Sequence, residues 1–600
     1  MLNVAVIVQK FGGTSVANAV KIRQAAQRAV DAKRMGFDVV VVVSARGHKT
    51  DELVDLAAEI TKTPRPREMD MLLSTGEQES VALMAMAVHE LGEEAISLTG
   101  AQIGVLTDTT HTKARIVSIS TARMRQLLDA GNIVIAAGFQ GVDANMNITT
   151  LGRGGSDTTA TALAAVMNAD VCEIYTDVEG VFTTDPRVVS NARKVERISY
   201  DEMLELASLG AGVMHSRSIE FAKKYRVHLK VRPSYSDGPG TLIAPESDEA
   251  NSVVTGVAFV RNEALISLVG LPDQPGVMSS LFTALSSARV PVDMVVQNVA
   301  RGTSANVSFT VAEDELPAAM KVVEATAQAL GAQDVTTRTG LSKVSIVGHG
   351  MQTHTGVAAR MFQVLAKHQI NIKVVTTSEI KISVLIDRDR CSDAVLAVHE
   401  GFELDQTRAS LPAVGYVATN RRHGANDPAS TAVADDIVSR LEGMESILVS
   451  DVSADQNQSR ITLSNLPDDP GIAETVFTAI AEGGVLVDMI VQNVARDERA
   501  TISFTVPFGD LDRSVLLLRE VLERYEGSAV SSDRHIGMLT IAGIGLRSHT
   551  DVGRRVFRTL GDNAINVQMI NTSEIKLSIV IAQSECDRAL SLLRSEFGLA

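Results

Sequence analysis

The chain has few cysteines, no long apolar run and a deficit of positive charge. Three cysteines among 600 residues cannot build a disulfide scaffold, and none forms a C-x-x-C pair, so a reducing compartment is expected. The longest purely aliphatic stretch, Val39 to Val43, falls far short of the ~18 residues needed to span a bilayer. Lys plus Arg number 56 against 72 Asp plus Glu, a net charge of −16. A chain this acidic is poorly suited to general nucleic-acid binding, which needs cations against phosphates, although a local cationic pocket remains open to it. The opening MLNVAVIVQKFGG has no basic n-region or cleavage pattern and passes into an apolar strand, so a cytoplasmic protein without membrane contact is expected. Neither a GxxxxGK[ST] loop nor a Rossmann GxGxxG turn is found. The composition that is present, 45% apolar and 21% charged, suits a globular chain and excludes bulk disorder. Its length calls for roughly three to five domains of ~100–200 residues each.

The second half repeats itself. Residues 292–301, VDMVVQNVAR, return as VDMIVQNVAR at 487–496, an offset of 195. The same offset aligns LPDQPG at 271–276 with LPDDPG at 466–471, the two TSEIK segments at 377–381 and 572–576, and Cys391 with Cys586. A weaker repeat at an offset of 80 lies inside each block, where Pro275-Gly276-Val277 and Gly356-Val357 each open an amphipathic helix. In the first unit the order is strand 264–270, a Gly-containing loop, helix 277–288, strands 292–299 and 305–311, helix 316–330 and strand 334–338. That is a ferredoxin-like βαββαβ module, and four of them would fill about 250–600. Such modules in tandem favour sensing, because the loop before the first helix aims unpaired N–H groups at a bound carboxylate. Gly543-Ile544-Gly545 matches Gly348-His349-Gly350 in the repeat, so it is a module loop and not a dinucleotide fingerprint. Residues 421–436 lack periodicity and read as a linker, which divides the chain into 1–245, 246–420 and 437–600 around it.

Residues 1–245 alternate strands and helices, an α/β layered sheet. The continuous β-branched run 39–44 is expected of a strand buried on both faces. Two Gly-rich turns each follow a strand and lead into a helix: Lys10-Phe11-Gly12-Gly13-Thr14-Ser15 and Gly152-Arg153-Gly154-Gly155-Ser156-Asp157. Glycine lets the backbone approach an oxyanion, and a helix N-terminus favours negative charge. One turn with a lysine and one with an arginine point to a polyphosphate and its acceptor.

With those turns in place, KFGGTS at 10–15, STGEQES at 74–80, TLGRGGSD at 150–157, YTDVEGV at 175–181 and TTDPR at 183–187 resemble, in order, the signatures of the aspartate kinase family. The QNV and TSEI segments resemble ACT domains. The resemblance covers essentially the whole chain and implies an amino-acid-kinase α/β/α sandwich followed by four βαββαβ ACT modules. It is closest to the monofunctional type with the ACT pair duplicated. It implies transfer of phosphate from ATP, with Mg²⁺, to the side-chain carboxylate of L-aspartate, and feedback inhibition by lysine, threonine or both. A carboxylate nucleophile, with a reference pKa of about 3.9, is ionised at pH 7 and needs no general base. The reaction instead needs positioning and charge neutralisation.

The same resemblance assigns roles. Lys10, Arg153 and Asp157 are the catalytic candidates, with Lys10, Phe11, Gly12, Gly13, Thr176, Asp177, Phe182, Asp185, Pro186 and Arg187 on the ATP side. Ser44, Thr50, Glu77, Arg153, Gly154, Gly155 and Ser156 fall on the aspartate side, Glu77 for the ammonium and Arg153 as a planar fork for a carboxylate. No protein ligand is assigned to the metal. SARGHKTD at 44–51 departs from the family's usual SAMGxTTD, adding Arg46, His48 and Lys49 near the aspartate side. Effector binding is expected at the loop Asp273, Gln274, Pro275, Gly276 and Val277 with Gln297 and Asn298, facing Ile370, Asn371, Thr377, Ser378 and Glu379 of the companion module. In the second block it is expected at Asp468, Asp469, Pro470, Gly471 and Ile472 with Gln492 and Asn493, facing Ile565, Asn566, Thr572, Ser573 and Glu574. Asp551 stands where the first block has Gly356, so the sites need not be equivalent. ACT units pairing across a two-fold axis would give a homodimer, since sheet edges need cover. Two other readings stay open: another small-metabolite kinase, acting on glutamate or acetylglutamate, and an amino-acid sensor with a decayed kinase domain.

Overall fold

The computed structural model describes residues 5–210, 212–245, 253–288, 290–299, 304–352, 354–406, 448–494, 499–544, 546 and 550–599. The expected linker 421–436 lies outside them, as do the side chains of Asn298, Asn493 and Asp551.

The strand Val6–Phe11 sits inside an eight-stranded sheet, parallel to Asp38–Val43 on one side and Val171–Thr176 on the other. Ile133–Ala137 and Ala95–Leu98 extend one wing, and Leu229–Pro233, Thr241–Ala244 and Arg197–Ser199 the other. Side chains alternate along a strand, and here both faces are covered. Val6, Val8, Val40 and Val42 join the core under the helices Gly155–Val166 and Ser216–Tyr225. Ile7, Val39, Val41 and Val43 join the core under Ala19–Arg34 and Pro66–Glu90. The parallel strands end along one edge, the usual place for a ligand in such sheets. Both Gly-rich turns lie there.

The regulatory modules are less simply ordered than their sequence. The strands Gly256–Pro272 and Asp334–Val347 are long, bulged, and shared between two modules. The first module is contiguous, running from the later half of Gly256–Pro272 to 334–338. The second takes its outermost strand from 256–260, which precedes the first module and pairs with 343–347. The second block repeats this device: Leu448–Asp455 pairs with Ile536–Ile544 and so closes the fourth module from in front of the third.

Modules partner across blocks, which corrects the expected facing of the effector loops. Val374–Ser378 of module 2 pairs antiparallel with Ile490–Val494 of module 3, giving one ten-stranded sheet. Helix Val357–Lys367 meets Ile472–Glu482, with Phe362 and Phe477 rings 5.2 Å apart. Module 1 packs on module 4, where Phe282 stacks on Phe557 at 4.7 Å. The reason is topological. Within the first block the strand order is 293–299, 304–312, 256–272, 334–347, 381–387, 374–378, so the edges meant to face each other lie at opposite ends. Each edge is covered by the other block.

Candidate active site

Lys10, next to last in its strand, is only 8% exposed, and its Nζ lies 2.5 Å from Asp157 Oδ1 in the first turn of helix Gly155–Val166. This ion pair joins the two Gly-rich turns. Gly13 packs so closely on the 44–47 loop that an added Cβ would lie 2.6 Å from the Ala45 carbonyl oxygen. Gly154 has φ +68, and a Cβ there would meet His215 Cβ at 2.2 Å. Glycine is required at both places by space, and at Gly154 also by conformation.

Glu77 is the unusual acid. It lies on helix Pro66–Glu90 and is 3% exposed; its Oε1 accepts the Ala45 N–H at 3.0 Å, and its Oε2 has no hydrogen-bond partner. Burial pushes its pKa up to about 7, partly offset by the Ala45 N–H. An isolated buried carboxylate is costly, so this one is poised to take a cation.

One cleft of about 1070 Å³ is lined by Lys10, Gly12, Gly13, Ser44, Thr50, Glu77, Arg153, Gly154, Gly155, Ser156 and Asp157. The remaining candidates of the ATP side do not line it. Phe11 is 1% exposed and stacks on Tyr175 at 4.7 Å, leaving only its backbone to face a nucleotide. Asp185 is tied to its neighbour Arg187 at 2.7 Å, and Thr176 donates to Asp177 at 3.2 Å. Arg46 pairs with Glu79 at 2.5 Å, Lys49 lies 3.4 Å from Glu52, and His48 lies 3.5 Å from Asp51. The extra basic residues of the 44–51 loop are therefore held by acids beside them, outside the cleft lining.

Sequence reasoning missed a third wall. Thr112, Lys113 and Arg115 come from a loop, and His215, Arg217, Glu220 and Lys224 from helix Ser216–Tyr225 and its cap. Arg217 donates to the carbonyls of Leu151 (2.6 Å) and Ala114 (2.7 Å), binding that helix to the second Gly-rich turn. No spacing or glycine signal marks these residues. The clash that a Cβ at Gly154 would make with His215 appears only in three dimensions.

At the effector loops, Asp273 accepts from Asn566 Nδ2 at 2.8 Å, and Gln297 Nε2 donates to the Val567 carbonyl at 2.7 Å. Asp468 takes Asn371 Nδ2 at 3.0 Å and Lys373 Nζ at 3.0 Å, and Gln492 Nε2 donates to the Ile372 carbonyl at 3.1 Å. A separate cavity of about 330 Å³ opens between modules 2 and 3, lined by Gly356, Val357, Thr377, Ser378, Glu379 and Asp488 among others. The regulatory half meets the kinase half at helix Tyr200–Ser208. There the fully buried Glu205 receives Lys381 Nζ at 2.8 Å from the first TSEIK turn and the Glu574 N–H at 3.0 Å from the second. Ile380 and Ile575 of the two turns join the kinase core.

The sheet, the paired Gly-rich turns and the tandem modules define a class, an amino acid kinase domain carrying ACT domains. The amino acid kinase family pattern matches residues 5–232, and the ACT domain pattern matches 266–326, 344–402 and 539–597. The aspartokinase of Pseudomonas aeruginosa is 50% identical over 404 residues, which is 67% of this chain and 98% of that protein. The crystal structure of aspartate kinase from Synechocystis is similar at 39% identity, covering 99% of this chain and 98% of that one, with a TM-score of 0.52. The E. coli aspartokinase III structure in complex with lysine and aspartate, 25% identical, covers 66% of this chain and 99% of its own, also at a TM-score of 0.52. This chain belongs to the aspartokinase family.

Proposed function

We propose that the cleft transfers the γ-phosphoryl group of ATP to the side-chain carboxylate of L-aspartate, giving 4-phospho-L-aspartate and ADP. The observation that carries this reading is the convergence on one cleft of the Lys10–Asp157 pair, the exposed Arg153 and the unpartnered oxygen of Glu77. Glu77 takes the substrate ammonium, which explains why an ionisable acid is kept buried. Arg153 offers its fork to a carboxylate. Lys10 and the N–H groups of the Gly12–Gly13 turn neutralise the transferring phosphoryl, and the N-terminus of helix Gly155–Val166 adds its dipole. No base is needed, because the acceptor carboxylate is already ionised. Mg²⁺ enters as the nucleotide's counter-ion, held chiefly by phosphate oxygens and water. The nucleotide runs toward Thr176–Arg187 beyond the cleft.

Feedback inhibition fits the module interfaces. The cavity between modules 2 and 3 pairs the start of helix Val357–Lys367, suited to a carboxylate, with the acids Glu379 and Asp488, suited to ammonium groups. That arrangement favours lysine. Threonine is assigned to the loops 273–277 and 468–472. A cytoplasmic location is proposed, and among the described residues no helix is long and apolar enough to cross a membrane. A homodimer is also proposed, but it must use other surfaces, since the module edges 293–299 and 374–378 are covered within the chain.

The test is ADP release by the full chain with L-aspartate, with L-glutamate and with no acceptor, each with and without lysine or threonine. Aspartate-dependent release that lysine suppresses is expected, and Lys10→Ala should lower kcat by about 10²-fold, the usual size for one lost transition-state donor. Equal release with glutamate, or near-normal turnover by Lys10→Ala, would overturn the assignment.

A further inference from the structure

The helix Pro66–Glu90 carries a second buried carboxylate, Asp70, which is fully shielded from solvent. It lies two turns before Glu77 on the same helical face, with Ser74 between them. Seven residues of helix place the two acids about 10 Å apart along the axis. Unlike Glu77, Asp70 is saturated with donors. Its Oδ2 accepts from His111 Nδ1 at 2.7 Å, its two oxygens take the Thr112 N–H at 3.0 and 3.1 Å, and its Oδ1 takes the Thr150 hydroxyl at 2.6 Å.

Those three donors come from two segments that line the cleft or lead into its lining. Thr112 and Lys113 line the cleft themselves, and Thr150 leads directly through Leu151 into the Gly152–Gly155 turn that bears Arg153. The segments are joined by the Ala114 N–H to the Thr150 carbonyl at 2.9 Å, and Gly152 sits so close that an added Cβ would be 3.1 Å from the Thr112 carbonyl oxygen. A buried carboxylate receiving charge-assisted bonds holds its partners in one geometry, and its removal leaves each donor without an acceptor.

We propose that Asp70 is a positioning residue for aspartate: it fixes the wall formed by Thr112 and Lys113 and the start of the Arg153 turn relative to Glu77. This rests on the reading of the cleft as the aspartate site. One rigid helix then sets both ends of the substrate pocket, the group that takes the ammonium and the wall that limits the far end. Asp70 touches no reacting atom, so its loss should be felt as poorer capture of aspartate and not as damage to the nucleotide side.

The experiment is steady-state kinetics on the full chain, with nucleotide affinity measured separately by ADP binding. Asp70→Asn should raise KM for aspartate tenfold or more while KM for ATP and ADP affinity stay within about twofold. Thr150→Val and His111→Ala each remove one donor and leave the carboxylate in place; each should raise KM for aspartate about threefold, and both stand in for Asp70→Asn if that variant does not fold. Unchanged KM for aspartate in these variants, or equal rises in both Michaelis constants, would overturn the role of Asp70 alone. A wild-type chain that releases no ADP with aspartate would overturn the reading of the cleft first, and the role of Asp70 with it.

Discussion

Two aspartates stand at the same place in the duplicated sequence and live in different surroundings. Asp293 and Asp488 are 195 residues apart, each opening the same run before Gln-Asn-Val. Asp293 is paired with Lys343, a lysine only 1% exposed that also lies 3.7 Å from Glu263. At the matching positions the second block has Met538 for Lys343 and Gln458 for Glu263. Asp488 therefore keeps its carboxylate without that cation. Burial, with Glu379 and Asp455 adding repulsion and Lys576 opposing it, pushes its pKa up to about 6. Beside it lies the 330 Å³ cavity, whereas the matching cavity between modules 1 and 4 measures about 70 Å³ and is lined mainly by apolar side chains such as Phe282, Val292 and Phe557. Duplication kept the fold and released one counter-ion. The charge that pairs with a buried lysine in one copy meets a methionine at the matching position in the other.

The largest effect should come from erasing that difference. Lys343→Met copies the second block into the first and removes the buried lysine that pairs with Asp293. Breaking such a pair costs about 3–5 kcal/mol, to be read from urea unfolding of the full chain. The reverse change, Met538→Lys, should supply Asp488 with a partner and abolish lysine binding in titration calorimetry. If Lys343→Met cost less than about 1 kcal/mol, the exposed-pair range, the contrast between the blocks would be one of sequence only.

How far this contrast is legible in the sequence depends on range. The Gly-rich turns can be read because their spacing is local, and the alternating buried faces of 39–43 because a central parallel strand must be apolar on both sides. The repeat alone makes Asp293 and Asp488 comparable, since an offset of 195 sets one upon the other. Which edge covers which cannot be read. The closure of module 2 by 256–260, and the meeting of Asn371 with Asp468 instead of a loop in its own block, are choices among equally patterned strands. Asp70 is hidden for another reason: an aspartate early in a long helix reads as solvated, and only the fold brings His111, Thr112 and Thr150 to it.

A second test sets the two TSEIK lysines against each other. Lys381 reaches Glu205 inside the kinase core, with side chains 4% and 0% exposed. Its copy Lys576 reaches Glu379 instead, with 27% and 39% exposed. Lys381→Met strands a buried carboxylate at the junction of three domains and should cost about 3 kcal/mol. Lys576→Met breaks a partly solvated pair and should stay within about 1 kcal/mol. Equal losses in urea unfolding would show that the two pairs carry the same weight, and the asymmetry at Glu205 would lose its meaning.

The smallest effect is a pH dependence that belongs to Asp488. Its folded pKa of about 6 is raised above the ordinary 3.8, so between these values the native chain binds more protons than the unfolded one. Its contribution to stability is therefore present at low pH, falls as pH rises from about 4 to about 6, and is level above that. Binding of a cation has the opposite sense, because an ammonium needs the ionised carboxylate. Lysine affinity should weaken by up to about tenfold for each pH unit below 6 and be flat above 7, the slope expected of one linked proton. Calorimetry in the absence of aspartate keeps Glu77, with its pKa of about 7, out of the measurement, since that acid faces the substrate cleft. Asp488→Asn should bind lysine weakly and with no slope between pH 5 and 7. A slope that survives in this variant would move the titrating group elsewhere in the interface, to Glu379 first, because it lines the same cavity.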